Sequence, residues 1–284
     1  MASLRDIRTR ITSVKSTRQI TSAMKMVAAA KLRRATESCT NARPYQAALT
    51  ATLQRVAAAA GDVENPLLEK RATVKNVCVV VIGSERGLCG GFNANRDRRI
   101  EDFVKSLKAE GKNVTMKTFG KKPRDFFRNR GYAPDATIEV NAAKYVSTVQ
   151  GLSDYLTTAF TSGEIDEAWL CFNKFKSTLA QVPTISQLLP LSLEASAAPA
   201  SDFVYEPDGA SILGTLLPLY VRAVLLQSFL ENEAGEHAAR MTAMDSSTRN
   251  ATDLIDRLTL EYNRGRQAAI TKELIEIISG AEAL

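Results

Sequence analysis

The sequence predicts an α/β fold combined with a long antiparallel α-helical coiled coil, in which the N- and C-terminal helices form the coil and the middle forms a Rossmann-like domain. Three observations carry this reading. From Ser3 to Ala60 there is no glycine and Pro44 is the one proline, while Leu4, Ile7, Ile11, Val14, Leu49, Leu53 and Val56 recur at sums of three and four. From Gly209 to Gly280 breakers are again few, and Met244, Ala251, Ile255, Leu258, Tyr262 and Ile278 keep near-helical spacing. The segment between alternates strand-like apolar runs with helical patterns, the signature of an α/β unit. The expected division is 1–60, 61–208 and 209–284.

The first helix opens on a capping box, Ser3 with Asp6, and is expected to stop at Gly61 and Pro66 with a kink near Pro44. At 1.5 Å per residue it would run about 85 Å, too long to stand without a partner along its length. Charge supplies one. Residues 1–60 carry eleven basic and two acidic side chains, and residues 231–284 carry six basic and ten acidic. The two ends are complementary, and a middle domain that returns the chain makes their pairing antiparallel. The seam is rich in Ala and Thr, which permits close approach but weakens the hydrophobic drive, so the pair needs outside support.

Within the second helix, residues 212–230 carry Arg222 as their one charge and are nearly long enough to cross a bilayer. A charge at mid-span is costly in hydrocarbon, and Gly214 and Pro218 weaken the helix, so burial between the coil and the middle domain explains the run better.

The middle opens with a buried strand, KNVCVVVI, followed by a helix capped at Asn93 and ending at Gly111. NVTMKTF (113–119) is a strand, Pro123 opens a helix stopping at Gly131, and a short strand spans 137–140. A helix over 145–162 and two strands, DEAWLCFNKF and QVPTISQLLPL, complete the unit, the last two pairing as a hairpin at an antiparallel edge.

GSERGLCGGFN (83–93) has four glycines directly after a strand, which raises the question of a phosphate cradle. It fails both templates. Cys89 stands where GxGxxG needs its second glycine, and Gly91 is followed by Phe92 rather than Lys. The glycines are better read as a tight strand-to-helix connection.

Other chemistry is scarce. Cys39, Cys78, Cys89 and Cys171 form no CxxC pair, so neither a metal site nor a disulfide framework is expected, and the setting is reducing. The start, MASLRDIRTR, lacks the apolar core of a secretory signal. His237 is the only histidine, and the carboxylate pairs Asp253/Asp256 and Glu273/Glu276 read as ordinary solvated helix faces. No catalytic, cofactor or metal residues are expected. Residues 5–34 hold nine basic residues and one acidic one. A basic coiled coil that binds nucleic acid is the alternative reading, although the segment has no aromatic for stacking and its charges surround the helix.

LRDIRTRITSVKSTRQITSAMKMVAAAKLRRA, SERGLCGGFN and the ending EHAARMTAMDSSTRNATDLIDRLTLEYNRGRQAAITKELIEIISGA, taken in order, resemble the gamma-subunit family of F-type ATP synthases, in its bacterial form. The resemblance covers essentially the whole chain. It implies a central rotor shaft, one copy in a hetero-oligomer, whose helix pair threads a hexamer of alpha and beta subunits. The α/β domain would sit near epsilon and the membrane c-ring, peripheral to the cytoplasmic side of the bacterial inner membrane. The shaft would couple proton translocation to conformational cycling of the catalytic beta subunits, without catalysis or a cofactor of its own. Residue by residue, it implies that Met24 and Lys25 face an acidic lobe of beta, and that Arg86 and Cys89 are exposed on their turn toward the same lobe. Arg240, Arg266, Gln267, Thr271 and Glu273 would touch the inner surface of the hexamer, and the apolar tip would turn in a hydrophobic bearing. No thiol-regulated insertion is present, and nucleic acid is not an expected partner of such a shaft.

Overall fold

The computed structural model describes residues 3–60, 65–138, 142–192, 206 and 208–282. Its elements are α1 (Leu4–Ala60), β1 (Asn76–Ile82), α2 (Phe92–Ala109), β2 (Asn113–Phe119), α3 (Lys121–Arg128), β3 (Asp135–Ile138), α4 (Tyr145–Thr161), β4 (Glu167–Phe175), β5 (Gln181–Leu189) and α5 (Gly209–Glu282). By contacts the chain forms two compact units, one of Met1–Ala29 with Arg240–Leu284 and one of Ala30–Ala239. Helices α1 and α5 each contribute to both.

The Ala30–Ala239 unit is built on a five-stranded sheet in the order β3-β2-β1-β4-β5. β1 pairs in parallel with β2 and β4, β2 in parallel with β3, and β4 antiparallel with β5, as the hairpin reading expects. β1 is central because it can bury both faces. Cys78, Val80 and Ile82 enter one core with α4, with Leu49, Leu53 and Val56 of α1 and with the start of α5. Val77, Val79 and Val81 enter a second core with Ile100, Val104 and Leu107 of α2 and Phe127 of α3.

The apolar run of α5 belongs to the first core. By length and composition alone it could cross a membrane. Its residues Leu213, Leu217, Val221, Leu225 and Phe229, spaced by four, are instead buried against the sheet side of this unit. Arg222 points off that stripe and pairs with Asp154 of α4 at 2.6 Å. The helix continues through Pro218, and α1 through Pro44.

Some boundaries differ from expectation. Asn93 does not cap α2: the helix starts one residue earlier, and the Asn93 Oδ1 accepts a hydrogen bond from the Ser84 hydroxyl at 2.8 Å. Pro123 lies inside the first turn of α3, which ends at Arg128, before Gly131 takes its left-handed φ of 79°. Gly61, read as a stop, and Val140, read as the end of a strand, lie outside the described residues.

In the other unit α1 opens on the expected reciprocal cap. The Ser3 N–H donates to Asp6 Oδ2 (3.1 Å) and the Asp6 N–H to Ser3 Oγ (3.2 Å). The helices are antiparallel: Lys25 meets Asp245, Thr21 meets Thr248, and Leu4 packs at Gly265. Residues 7, 11, 14, 18, 21, 25 and 28 of α1, and 244, 248, 251, 255, 258, 262 and 265 of α5, alternate steps of four and three. All are buried or half-buried except Lys25. The Thr21 and Thr248 hydroxyls lie 2.8 Å apart, so polar side chains replace one apolar layer of the seam. A Cβ at Gly265 would come within 3.0 Å of Leu4 Cδ2, so the glycine admits the first residue of α1 at close range. From Arg266 to Glu282, roughly 25 Å, α5 runs on past that point.

Candidate functional site

The described residues present surfaces rather than a cleft of reactive groups. The first is the turn at 83–93. Gly83 donates to the Phe119 carbonyl at 2.8 Å, and a Cβ there would lie 2.4 Å from Pro123 Cγ and 3.0 Å from Arg96 Nη2. Arg96 is fully buried and holds Asp97 Oδ1 through Nε (3.0 Å) and Nη2 (2.7 Å). Burial pushes the Asp97 carboxyl above its ordinary range in spite of this partner. The buried Ser84 hydroxyl also sits 3.0 Å from the Arg86 carbonyl. These constraints lift the next residues outward, where Leu88 (φ 61°) and Gly90 (φ 57°) adopt left-handed backbone.

What the turn displays differs from what was expected. Arg86 is exposed, but Cys89 is only 3% exposed, turned inward with its Sγ 3.2 Å from Asn93 Nδ2. The expectation that Cys89 is displayed is corrected by this contact. The apolar side chain shown to solvent is its neighbour Leu88, at 62%. A bulky residue with positive φ and an exposed side chain is a costly choice, which marks the position.

The second surface is the helix pair. Met24 is half-buried, and the Lys25 ammonium lies 2.6 Å from Asp245 Oδ1, with Arg249 3.0 Å from the other oxygen. The hydrogen bond from Lys25 holds the Asp245 carboxyl below its usual range. Any acidic partner of Lys25 must therefore compete with, or add to, Asp245. Arg240 is half-buried, whereas Arg266, Gln267, Thr271 and Glu273 are exposed on the part of α5 that has passed Gly265. The Thr271 hydroxyl donates to the Gln267 carbonyl (2.9 Å), placing those two on one face. Ile270, Leu274, Ile275, Ile277 and Ile278 are exposed on the same stretch. Five large aliphatic side chains in solvent over so short a length mark an interaction site.

Residues weighed for catalysis do not assemble. His237 Nε2 is 3.8 Å from Glu233 along the same helix, and Glu276 faces Lys272 at 3.5 Å. None of the four cysteines forms a disulfide, and all are buried. Among the described residues no group of three or more His, Cys, Asp or Glu is placed to hold a metal.

Sequence reasoning missed a polar junction inside the Ala30–Ala239 unit. Asn232 Nδ2 donates to the Gly83 carbonyl (3.0 Å), its Oδ1 accepts from the Asn173 N–H (3.4 Å), and Asn173 Nδ2 donates to the Phe92 carbonyl (3.2 Å). Arg43 donates to the Phe175 carbonyl (3.4 Å) and stands 3.6 Å from Glu231. The available signal was Asn232 itself, a polar residue three positions after Phe229 on the buried stripe.

Comparison with known proteins decides the family. The profile of the family described as ATP synthase matches residues 3–284. An ATP synthase gamma chain of Pelotomaculum thermopropionicum is 45% identical over the full length of both chains, and that of Anaeromyxobacter sp. is 48% identical, also over the full length of both. The chain belongs to the ATP synthase gamma-chain family. Gamma chains are subunits of ATP synthase, a membrane-associated complex. Among solved structures, the central stalk and c-ring of the Tetrahymena thermophila mitochondrial ATP synthase includes a chain with 25% identity and a TM-score of 0.61, covering 80% of this chain and 98% of that one. A chain of the Euglena gracilis mitochondrial ATP synthase aligns over 99% of this chain and 94% of its own length with a TM-score of 0.68. At 22% identity it supports the gamma-chain fold.

Proposed function

We propose that this gamma chain is the central rotor shaft of a bacterial F-type ATP synthase, non-catalytic itself, coupling proton translocation through the c-ring to the cycling of the catalytic beta subunits. The observation that carries the reading is full-length agreement with gamma chains at nearly half identity, on a chain whose helix pair leaves aliphatic and charged side chains in solvent. The alpha–beta hexamer is the outside support that the polar seam needs. Epsilon and the c-ring are partners of the α/β domain, read here as residues 61–208, and the membrane is reached only through that ring. The complex lies on the cytoplasmic side of the bacterial inner membrane.

A shaft changes the affinity of a catalytic site only by contacting different conformations unequally, since equal contact shifts no equilibrium. The surfaces suited to this differ in the groups they present. Arg86 with Leu88 on the turn, and Lys25 beside Met24 on α1, offer a cation next to an apolar group to an acidic lobe of beta. Arg240, Arg266, Gln267, Thr271 and Glu273 serve the inner wall of the hexamer. Cys89, turned inward, acts by holding Asn93 and the turn rather than by touching beta.

A basic coiled coil for nucleic acid is disfavoured, because the exposed cations come with the exposed aliphatic stretch and with gamma-chain relatives throughout. Co-purification tests the rotor reading. An internally tagged chain expressed with its cognate subunits should bring down alpha and beta in three-to-one ratio, and recovery without them would overturn the assignment. Arg86→Glu should leave assembly intact and lower the protons pumped per ATP hydrolysed. Unchanged coupling would remove the turn from the contact surface.

A further inference from the structure

We propose that Asn232 and Gly235 of α5, together with Asn173 and Arg43, form a torsional lock that fixes the rotational angle of α5 about its own axis to the end of the sheet. The proposal rests on the rotor reading and names the place where the α/β body grips the helix that it must turn.

The apolar stripe of α5 cannot do this alone. Leu213, Leu217, Val221, Leu225 and Phe229 hold the helix onto its neighbours, but hydrophobic burial has no direction, and a small rotation trades one aliphatic contact for another. At residue 232 the stripe changes character. Asn232 is 2% exposed and Asn173 1% exposed, and their hydrogen bonds reach the Gly83 carbonyl just past β1 and the Phe92 carbonyl at the start of α2. The Asn173 N–H is available because β4 extends past its last register position with β1, which pairs Val81 with Cys171. Asn232 therefore completes the backbone hydrogen bonding that β1 leaves off. One turn on, a Cβ at Gly235 would lie 3.0 Å from Phe92 Cε2 and 3.3 Å from Gln181 Cγ, so the helix has a notch seated on a ring.

The second grip lies at a different azimuth. Glu231 precedes Asn232 by one residue, hence about 100° around the helix. It faces Arg43, whose guanidinium also donates to the Phe175 carbonyl of β4. A helix held at two angles about 100° apart cannot turn without straining one of them. Rotation would leave buried amide groups unpaired, which hydrophobic contacts cannot compensate.

The test uses the assembled alpha–beta–gamma complex. All native cysteines of this chain are buried, so Val146→Cys on α4, where Val146 is 72% exposed, gives it one exposed thiol for a gold nanorod, used with cysteine-free alpha and beta subunits. With the C-terminal end of α5 cross-linked to the hexamer, the width of the rod's thermal angular distribution reports torsional stiffness. Asn232→Ala removes two of the three polar links that end on α5, so stiffness should fall about three-fold if the links act in parallel with comparable strength. Leu213→Ala, which opens a core cavity away from the junction, should leave it unchanged. Should Asn232→Ala fail to assemble, Asn232→Asp, which keeps the acceptor for Asn173 and loses the donor to Gly83, should show a smaller loss. An unchanged width in the Asn232 variant, or an equal broadening in Leu213→Ala, overturns the lock. The parent complex separates the two readings: no ATP-driven rotation of the rod sinks the rotor and the lock with it, whereas rotation with unaltered stiffness in the variant sinks the lock alone.

Discussion

The two units solve the same problem, burying a helix, in opposite ways. In Ala30–Ala239 the sheet supplies strands buried on both faces, and Val79, Val80, Leu170 and Phe160 are fully enclosed. In the helix pair the seam is made of Ile7, Thr21, Ala28, Met244, Ala251, Ile255 and Leu258, most of them small or at the edge of burial, while Ile20, Met26, Val27 and Leu260 stay in solvent. Burial of this kind lets the first unit supply its own core. The second leaves more of its apolar surface in solvent, which a partner of the rotor proposed above would cover.

Phe160→Ala should have the largest effect, about 3–5 kcal/mol by urea unfolding, because the ring lies at the centre of a core and also receives Arg71 at 5.5 Å. A loss under roughly 1 kcal/mol would mean that the α/β unit is less self-sufficient than its burial implies. Ile255→Ala removes a smaller, aliphatic volume from the seam, where neighbours can relax toward solvent. About 2 kcal/mol is expected, followed by far-UV circular dichroism of the isolated chain. Equal costs at the two sites would erase the distinction between the units. Thr248→Val deletes the contact between hydroxyls, and a change of about 1 kcal/mol or less is expected. The Lys25–Asp245 pair is exposed and contributes least. Because Asp245 is held below its ordinary range, its contribution is present above the usual carboxylate value near pH 4 and is lost as pH falls through the lowered one. Asp245→Asn should flatten that part of the acid unfolding curve and blunt its salt dependence, and an unchanged curve would show that the pair is inert. Leu274→Gln sharpens the contrast from the other side: the isolated chain should change by less than about 0.5 kcal/mol, since Leu274 is 53% exposed, while recovery of the hexamer in co-purification falls.

Features whose cause lies within a few residues were legible in the sequence. The Ser3–Asp6 cap, the bounds of β2 and the helical spacing of Ile7, Ile11 and Val14 all depend on neighbours in the chain. The misreadings share a different origin. Asn93 has the chemistry of a cap, but Ser84 lies within reach of it, a fact set by the turn between them. Cys89 lies among exposed residues in the sequence, and only the left-handed backbone at Leu88 decides that the leucine points out and the thiol in. Gly83 is required by Pro123, forty residues later, and Asn232 by a carbonyl at Gly83. Such pairings follow from strand order, which periodicity does not encode. The family resemblance reached the function because it reads many such long-range constraints at once, yet it named Cys89 for display where the local geometry chose Leu88.

The end of the seam at Gly265 divides α5 into a stretch whose residue count is constrained and a stretch whose count is free. Inserting one residue before Gly265 would throw the four–three alternation out of step with α1. Inserting one after it would leave the Lys25–Asp245, Thr21–Thr248 and Leu4–Gly265 contacts in step and would advance everything beyond by about 100°. The count of residues from Gly265 to the last turn thus acts as a phase setting, and a single-residue indel in that stretch would retime the end of the helix without weakening the seam.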